Sequence, residues 1–147
     1  MRTRAFISVI FLILAACLAA SARTDETLEE LKARAAKARV EEQPELCVEI
    51  AERQLTAADK LYTDGKTDLA RSAVDDVVHY SEMARDAAVK SGKALKHTEI
   101  AVRKMAAKLR DIKRSLSFED QPPVDAAAQR LEDLRTDLLV RMFGKGQ

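Results

Sequence analysis

The chain has 147 residues, with 25 basic and 24 acidic side chains, only 4% aromatic residues and no tryptophan. A net charge this close to zero gives no reason to expect a polyanion as the partner of the whole chain. The length suits one domain, and a core limited to Leu, Ile, Val, Met and Ala favours closely packed helices over a sheet.

The first 22 residues have the parts of a secretory signal. Arg2 and Arg4 form a basic start, residues 5–16 are almost wholly apolar, and small residues follow. In such a signal the charged end stays in the cytoplasm while the apolar segment enters the translocon. The sequence therefore predicts a signal peptide over 1–22, an N-terminal helix or stalk over 23–43, and a helical bundle domain over 44–147, with the folded part exported.

Three fates of this leader follow from its residues. The run Leu14-Ala15-Ala16-Cys17 resembles the lipobox of bacterial lipoproteins, which implies cleavage before Cys17 and lipid attachment to its thiol. The run Ala20-Ser21-Ala22 instead fits an ordinary signal peptidase. An uncut leader is the third alternative, since residues 5–22 reach the lower length limit of a spanning helix. We prefer the lipoprotein interpretation.

Cys17 and Cys47 are the only cysteines. An exported domain stabilised by disulfides has an even set within its mature part, whereas cleavage leaves Cys47 without an intramolecular partner. Cys47 shares a helical face with Ile50, Leu55 and Leu61, so we expect a buried thiol that packs as a small hydrophobe. An intermolecular disulfide is the alternative.

The first predicted helix runs from about Thr24 to Glu42. Thr24 or Asp25 would be its N-cap, with a glutamate three to five residues later. Its apolar face is thin, because Leu28 and Leu31 are followed only by alanines. The segment is therefore either a stalk that holds the rest away from a membrane or a minor helix of the bundle.

Glycine and proline residues divide the remaining chain into four long helices. The second starts at Pro44 and stops at Gly65, the third runs from Thr67 to near Gly92, and the fifth extends from Pro123 to Gly144. The fourth carries a heptad seam over residues 94–116, which packs within one chain or forms a homo-oligomer. We expect an all-α, antiparallel up-down bundle of about four long helices after the stalk-like helix.

The hairpin over residues 57–70 resembles the turn region of a tetratricopeptide repeat, with Tyr62 near the end of one helix, Gly65 in the turn and Ala70 in the next helix. The resemblance covers one repeat, Gln54 stands where that family has tryptophan, and no second copy follows at a period of about 34. It implies peptide or protein binding, but a single hairpin is no solenoid, so we interpret it as a generic helical hairpin.

The third helix carries the closest approach to a metal site. Asp75 and His79 are four residues apart and Glu82 follows three residues later, a spacing that brings three possible ligands to one helical face. The simpler interpretation is a solvated polar face, because the paired Glu-x-x-His motifs of a di-metal bundle are missing. We favour the simpler interpretation.

A basic stripe follows the outer side of the fourth helix. Its members recur at helical spacing, and they are Lys90, Lys96, Arg103, Lys104 and Arg110. The stripe predicts a surface for an anionic partner such as lipid head groups or wall polymers. The alternative is internal pairing with the acidic residues of the second and last helices. Nucleic acid is excluded as a partner, because the protein is exported and no aromatic residues are interleaved for base stacking.

Motifs for haem attachment, phosphate-binding loops, nucleophilic serines and zinc proteases are missing from the sequence. We therefore predict a non-catalytic protein without a cofactor. Its expected role is structural or partner-binding in the bacterial cell envelope, where it is held at the membrane by its lipid or its leader. The alternative is a small periplasmic bundle that binds or senses a metal.

Overall fold

A computed structural model describes residues 26–144, which form five α-helices and one short 3₁₀ turn. The helices, in chain order, are α1 Leu28–Lys37, α2 Gln43–Thr63, α3 Thr67–Ser91, α4 Leu95–Ser115 and α5 Gln121–Phe143, with the 3₁₀ turn at Phe118–Asp120. Within this range no residue belongs to a β-strand. The predicted all-α bundle with four long helices is confirmed.

Glycine and proline residues mark the ends of the long helices, as predicted. Pro44 lies in the first turn of α2, where a missing N–H breaks no helical hydrogen bond. Gly65 and Gly92 follow α2 and α3 with φ angles of +73° and +69°, the left-handed region that a Cβ disfavours.

The predicted start of α1 is wrong. Its N-cap is Thr27, whose hydroxyl accepts from the Glu30 N–H while the Glu30 carboxylate accepts from the Thr27 N–H. Thr24 and Asp25 lie outside the described residues. The helix also ends at Lys37, before the predicted Glu42, because the backbone of Ala38 is extended.

The helices form two antiparallel hairpins, α2–α3 and α4–α5, which pack side by side. Ion pairs between α3 and α5 give their relative direction, since Arg71 binds Asp120 at 2.9 Å and Arg85 binds Asp137 at 2.8 Å. Both numbers rise together, so α3 and α5 run parallel. The order around the bundle is therefore α2, α3, α5, α4. After its hairpin partner α2, the main neighbour of α3 is α5 and not α4, the next helix in the chain.

The core is built from aliphatic residues and many alanines. The central part of the α4 heptad seam lies within it, since Val102 and Leu109 are fully buried and Met105 and Ile112 are 2% exposed. The α4 seam is thus satisfied inside one chain. A homo-oligomer through residues 94–116 would have to use the outer face of α4.

Of the two alternatives for the first helix, the structure shows the second: α1 packs as a minor helix of the bundle. Leu31 and Ala35 of α1 belong to the same buried cluster as α2 and α3. Lys32 Nζ lies 3.0 Å from an Asp76 carboxylate oxygen on α3, and Arg53 of α2 donates to the Glu26 carbonyl at 2.7 Å. Residues 28–37 are therefore part of the folded body and not a separate stalk.

The two ends of the bundle differ in their exposed residues. One end, which we call the Lys93 end, holds the α3–α4 connection and the last turn of α5. The ion pairs Arg85–Asp137 and Glu99–Arg135 lie just inside it and fix the register there. Its exposed side chains include Lys90, Lys93, Lys96, Val140 and Phe143.

The opposite end, which we call the Phe118 end, holds the α2–α3 turn and the α4–α5 connection. Its exposed side chains include Lys60, Lys66, Leu69 and Phe118. A large apolar side chain is thus exposed at each end of the bundle.

Candidate functional site

The residues predicted as metal ligands line a groove between the parallel helices α3 and α5. The groove has a volume of about 430 Å³, and its floor and rim consist of Asp75, Val78, His79, Glu82, Pro123, Ala126, Ala127 and Arg130. The Glu82 carboxylate accepts a hydrogen bond from Arg130 Nε at 2.7 Å. The His79 ring meets the neighbouring Tyr80 ring edge-on, with centroids 5.1 Å apart.

Asp75, His79 and Glu82 share this groove, but the described residues contain no group of three or more His, Cys, Asp or Glu side chains placed to hold a metal ion. The ion pair with Arg130 explains part of this, because it gives the Glu82 carboxylate a cationic partner across the groove. The metal site stays a prediction from the sequence.

The structure divides the basic stripe into two parts. Arg103 lies 3.6 Å from Glu99 on the same helix, and Arg110 lies 2.7 Å from Glu132 on α5. Both arginines are thus paired within the bundle, but only Arg110 pairs with an acidic residue of the last helix, which is the kind of pairing that one of the two interpretations predicted. The three lysines of the stripe are exposed and form no ion pair within residues 26–144; they are Lys90, Lys96 and Lys104.

The start of α4 increases the positive potential near Lys96 of the stripe and near Lys93, which lies outside the stripe. Ala94 is the N-cap, with a φ of +61°, and it provides no side-chain hydrogen bond to the free N–H groups of the first turn. That turn contains no acidic residue, and Lys93, Lys96 and His97 surround it. A helix N-terminus carries a partial positive charge, so the lysine charges add to it instead of cancelling it.

The internal pairing centres on Glu99 of α4, which the sequence analysis did not single out. Its side chain is only 10% exposed and lies 2.9 Å from Arg135 Nε on α5. Arg135 also contacts Glu132, and the hydrogen bond from Arg110 holds the pKa of Glu132 below its ordinary value. The pairs Glu99–Arg135 and Arg110–Glu132 join α4 to α5, whereas only the spacings within one helix, from Glu99 to Arg103 and from Glu132 to Arg135, are visible in the sequence.

A second polar cluster that sequence reasoning missed joins α1, α2 and α3. Lys32 and Gln54 both donate to the same carboxylate oxygen of Asp76. Burial lowers the pKa of Lys32, but the hydrogen bond and charge of Asp76 more than offset this and raise it. Lys32 Nζ also lies 5.6 Å from the centre of the Tyr80 ring. The cluster holds α1 on the bundle.

The structure tests the prediction for one of the two cysteines. Cys47 is fully buried, and burial raises its thiol pKa to about 11, so the thiol stays protonated at neutral pH. The prediction of a buried packing cysteine is confirmed. The predicted lipid attachment point, Cys17, lies outside the described residues.

Among residues 26–144, four large apolar side chains are well exposed. At the Lys93 end these are Phe143, which is 76% exposed, and Val140, which is 60% exposed. At the Phe118 end they are Phe118, at 86%, and Leu69, at 60%. Single exposed apolar residues are common on protein surfaces, so their charged surroundings decide whether they indicate a partner.

Comparison with known proteins finds no similarity that would assign the chain to a family, since no family model, no curated protein and no solved structure matches it. Among residues 26–144, none of the helices has both the length and the apolar character that crossing a membrane requires.

Proposed function

We propose that the protein is an exported, lipid-anchored helical bundle that binds a partner in the bacterial cell envelope and has no catalytic activity. The observation that carries this proposal is the leader, in which a basic start and an apolar stretch lead to Leu14-Ala15-Ala16-Cys17. A lipid on Cys17 would hold the folded residues beside a membrane.

The distribution of charge on the surface supports a binding role. Most arginines of α3, α4 and α5 are used in pairs that join helices, such as Arg85 with Asp137 and Arg110 with Glu132. Lys90, Lys96 and Lys104 take no part in such pairs within the described residues. Their charges are available to an anionic component of the envelope.

The alternative function, a metal-binding or sensing bundle, gains no specific observation. His79 is exposed and lines the α3–α5 groove, but the nearby Glu82 binds Arg130.

Metabolic labelling of cells with a radioactive or clickable fatty acid tests the anchor. We expect label on the wild-type protein and none on Cys17→Ser, because the thiol is the attachment point. Cys47→Ser is the matched control, since it removes the other cysteine from a buried position, and it should remain labelled. A mature protein that begins at Arg23 and carries no lipid would contradict the proposal.

A further inference from the structure

We propose that the Lys93 end is a membrane-contact surface that binds bilayers containing anionic phospholipid. In this arrangement Lys90, Lys93 and Lys96 lie at the phosphate groups, and Val140 and Phe143 insert between the lipids. The inference rests on the proposed function, because it takes the anchored protein to be held beside a bilayer.

The apolar part of this surface is formed by the last two turns of α5. Val140 and Phe143 are three residues apart, so they lie on adjacent positions of one helical face. They are 60% and 76% exposed, and each ends in water rather than against another helix. A bilayer would cover both side chains at once, since the helix ends at Phe143 and nothing in residues 26–144 extends beyond it except Gly144.

The charged part lies at the same level on the neighbouring helices. Arg85 of α3 pairs with Asp137 of α5, and because these helices run parallel, Lys90 is level with the last turn of α5. Glu99 of α4 pairs with Arg135, and the antiparallel direction of α4 and α5 brings Lys96 to the same level. The apolar side chains are thus bordered by lysines of both α3 and α4.

Three acidic side chains of this end lie on a different corner, while the exposed Asp86 of α3 is paired with Arg85 at 2.8 Å. Glu41, Glu42 and Glu45 are in or beside the first turn of α2, which is diagonal to α5 in the bundle. Glu42 is paired with Arg39 at 3.1 Å. The side formed by α3, α4 and α5 can therefore face an anionic surface while these carboxylates point to another side of the bundle.

The start of the described chain allows this orientation. The Glu26 carbonyl accepts from Arg53, near the middle of α2, so the chain enters the bundle halfway between its two ends. The nine residues from Cys17 to Glu26 reach at most about 30 Å, and half the length of α2 is about 15 Å. An anchor on Cys17 therefore permits the Lys93 end to reach the membrane.

Two other occupants fit the surface less well. A second copy placed on Phe143 by a two-fold axis would bring the lysines of both copies together, which is repulsive. A soluble polyanion would pair with the lysines but would leave Phe143 in water. Only a bilayer supplies phosphate groups and hydrocarbon next to each other.

Vesicle binding by a chain that lacks the leader tests the inference. Residues 23–147 contain every member of the core cluster found in residues 26–144, so this chain keeps a complete core without the lipid. The chain is mixed with vesicles of phosphatidylcholine alone, or of phosphatidylcholine with phosphatidylglycerol, and bound protein is separated by flotation. We expect binding to the anionic vesicles only, with an affinity that falls as salt is added.

Paired variants at the two ends locate the surface. Lys93→Gln with Lys96→Gln should weaken binding about 25-fold, from about fivefold for each lysine at an anionic surface. The matched control is Lys60→Gln with Lys66→Gln, which removes the same charge from exposed lysines at the Phe118 end and should change binding less than twofold. Circular dichroism of each variant checks that the bundle is folded.

The two exposed phenylalanines form the second matched pair. Phe143→Ser should weaken vesicle binding about tenfold, because an inserted ring loses contact with hydrocarbon. Phe118→Ser at the opposite end should leave it unchanged, although Phe118 is the more exposed of the two. Binding of soluble polyphosphate should not distinguish Phe143→Ser from the wild type.

Several results would overturn the inference. Equal losses of vesicle affinity in the two lysine double variants would mean unspecific electrostatic attraction. Vesicle binding that is unchanged in Phe143→Ser would mean a surface for polyanions in general. A dimer that Phe143→Ser dissociates would identify a second copy as the occupant. If the wild-type protein is labelled with fatty acid but the leaderless chain does not bind vesicles, the membrane-contact surface is wrong and the proposed function stands. If vesicles are bound but no fatty acid is attached, the lipid anchor of the proposed function is wrong and the membrane-contact surface stands.

Discussion

The two ends of the bundle each expose a phenylalanine and lysines that form no ion pair within residues 26–144, which at the Phe118 end are Lys60 and Lys66. They differ because lysines also pair with carboxylates of other helices near the Phe118 end. Near the Phe118 end, cations pair with carboxylates of other helices. The pairs are Arg71–Asp120 at 2.9 Å, Lys113–Asp125 at 2.7 Å and Lys108–Asp59 at 2.6 Å. At the Lys93 end, the side chains of Lys90, Lys93 and Lys96 have no such partner in residues 26–144.

This difference separates charges that order helices from charges that are open to a partner. The pairs near the Phe118 end join α3 to α5, α4 to α5 and α2 to α4, which are the neighbours around the bundle. At the Lys93 end, Lys93 and Lys96 lie beside the positive end of α4, which is unfavourable for folding. Departures of this kind from local stability are typical of functional sites.

Core truncations should show the largest effect and test whether the two ends share one core. Leu109→Ala removes a fully buried side chain from the continuous cluster and should cost about 3–5 kcal/mol of unfolding free energy. Leu138→Ala, which is buried near the Lys93 end outside that cluster, should cost about 2–3 kcal/mol. Urea denaturation measures both. Equal costs would contradict a weaker core at the Lys93 end.

The turns at the two ends should respond alike to the loss of glycine. Gly65→Ala and Gly92→Ala each place a Cβ at a φ near +70° with no neighbour within 4 Å, so conformational strain alone should cost about 1 kcal/mol. Ala94→Gly should do the opposite at the Lys93 end, because Ala94 already has a φ of +61°. Thermal unfolding distinguishes these outcomes. A lower melting temperature for Ala94→Gly would contradict the assignment of backbone strain to Ala94.

Acid should weaken the Lys93 end more than the Phe118 end. The hydrogen bond from Arg85 lowers the pKa of Asp137, near the Lys93 end, below its ordinary value. The hydrogen bond from Arg110 lowers the pKa of Glu132, at the middle of α5, in the same way. A lowered carboxyl pKa contributes stability that is present above the unfolded value and is lost as the pH falls through the folded value. The loss should be about 1 kcal/mol or less for each pair.

Hydrogen exchange measured between pH 5 and pH 3 locates this loss. Near the Lys93 end, protonation of Asp137 removes the ion pair that joins Arg85 of α3 to α5, so α5 amides there should exchange first. Asp137→Asn should remove most of the pH dependence at that end. Earlier opening around Phe118 would contradict the expected order.

Reversing one charge at the start of α4 should have the smallest effect. Lys96→Glu places an anion at the helix N-terminus and should stabilise the bundle by about 0.3–1 kcal/mol. Lys60→Glu is the control at the Phe118 end, and it should destabilise slightly because Lys60 lies in the last turn of α2. Calorimetric unfolding at low salt measures both. A destabilised Lys96→Glu would mean that Lys96 has a folded partner.

The sequence predicts the elements of this fold well but not which helices become neighbours. Gly65, Gly92 and Pro44 mark helix ends through backbone restrictions that act locally, and the α4 seam follows from its spacing. The parallel packing of α3 on α5 depends on contacts such as Arg85 with Asp137, which are 52 residues apart. Periodicity shows which face of a helix is buried and does not show what covers it.

The N-cap of α1 and the partners of the basic stripe show which features local sequence can predict and which depend on neighbouring helices. Thr27 and Glu30 have the three-residue spacing of a capping box, so local chemistry could have located the N-cap. The pairing of Arg110 could not be predicted without knowing that α5 packs beside α4, because its partner Glu132 lies on α5. The exposure of Phe143 likewise depends on where α5 ends relative to the other helices.

The pairing of α2 with α3 and of α4 with α5 has a consequence for how the chain folds. Each hairpin joins segments that are close in sequence, so a large part of the native packing forms without closing long loops. Proteins with such low contact order fold within microseconds to milliseconds. A chain that emerges N-terminus first during synthesis can close α2 on α3 before α4 and α5 appear, and the second hairpin then docks onto a surface that already exists.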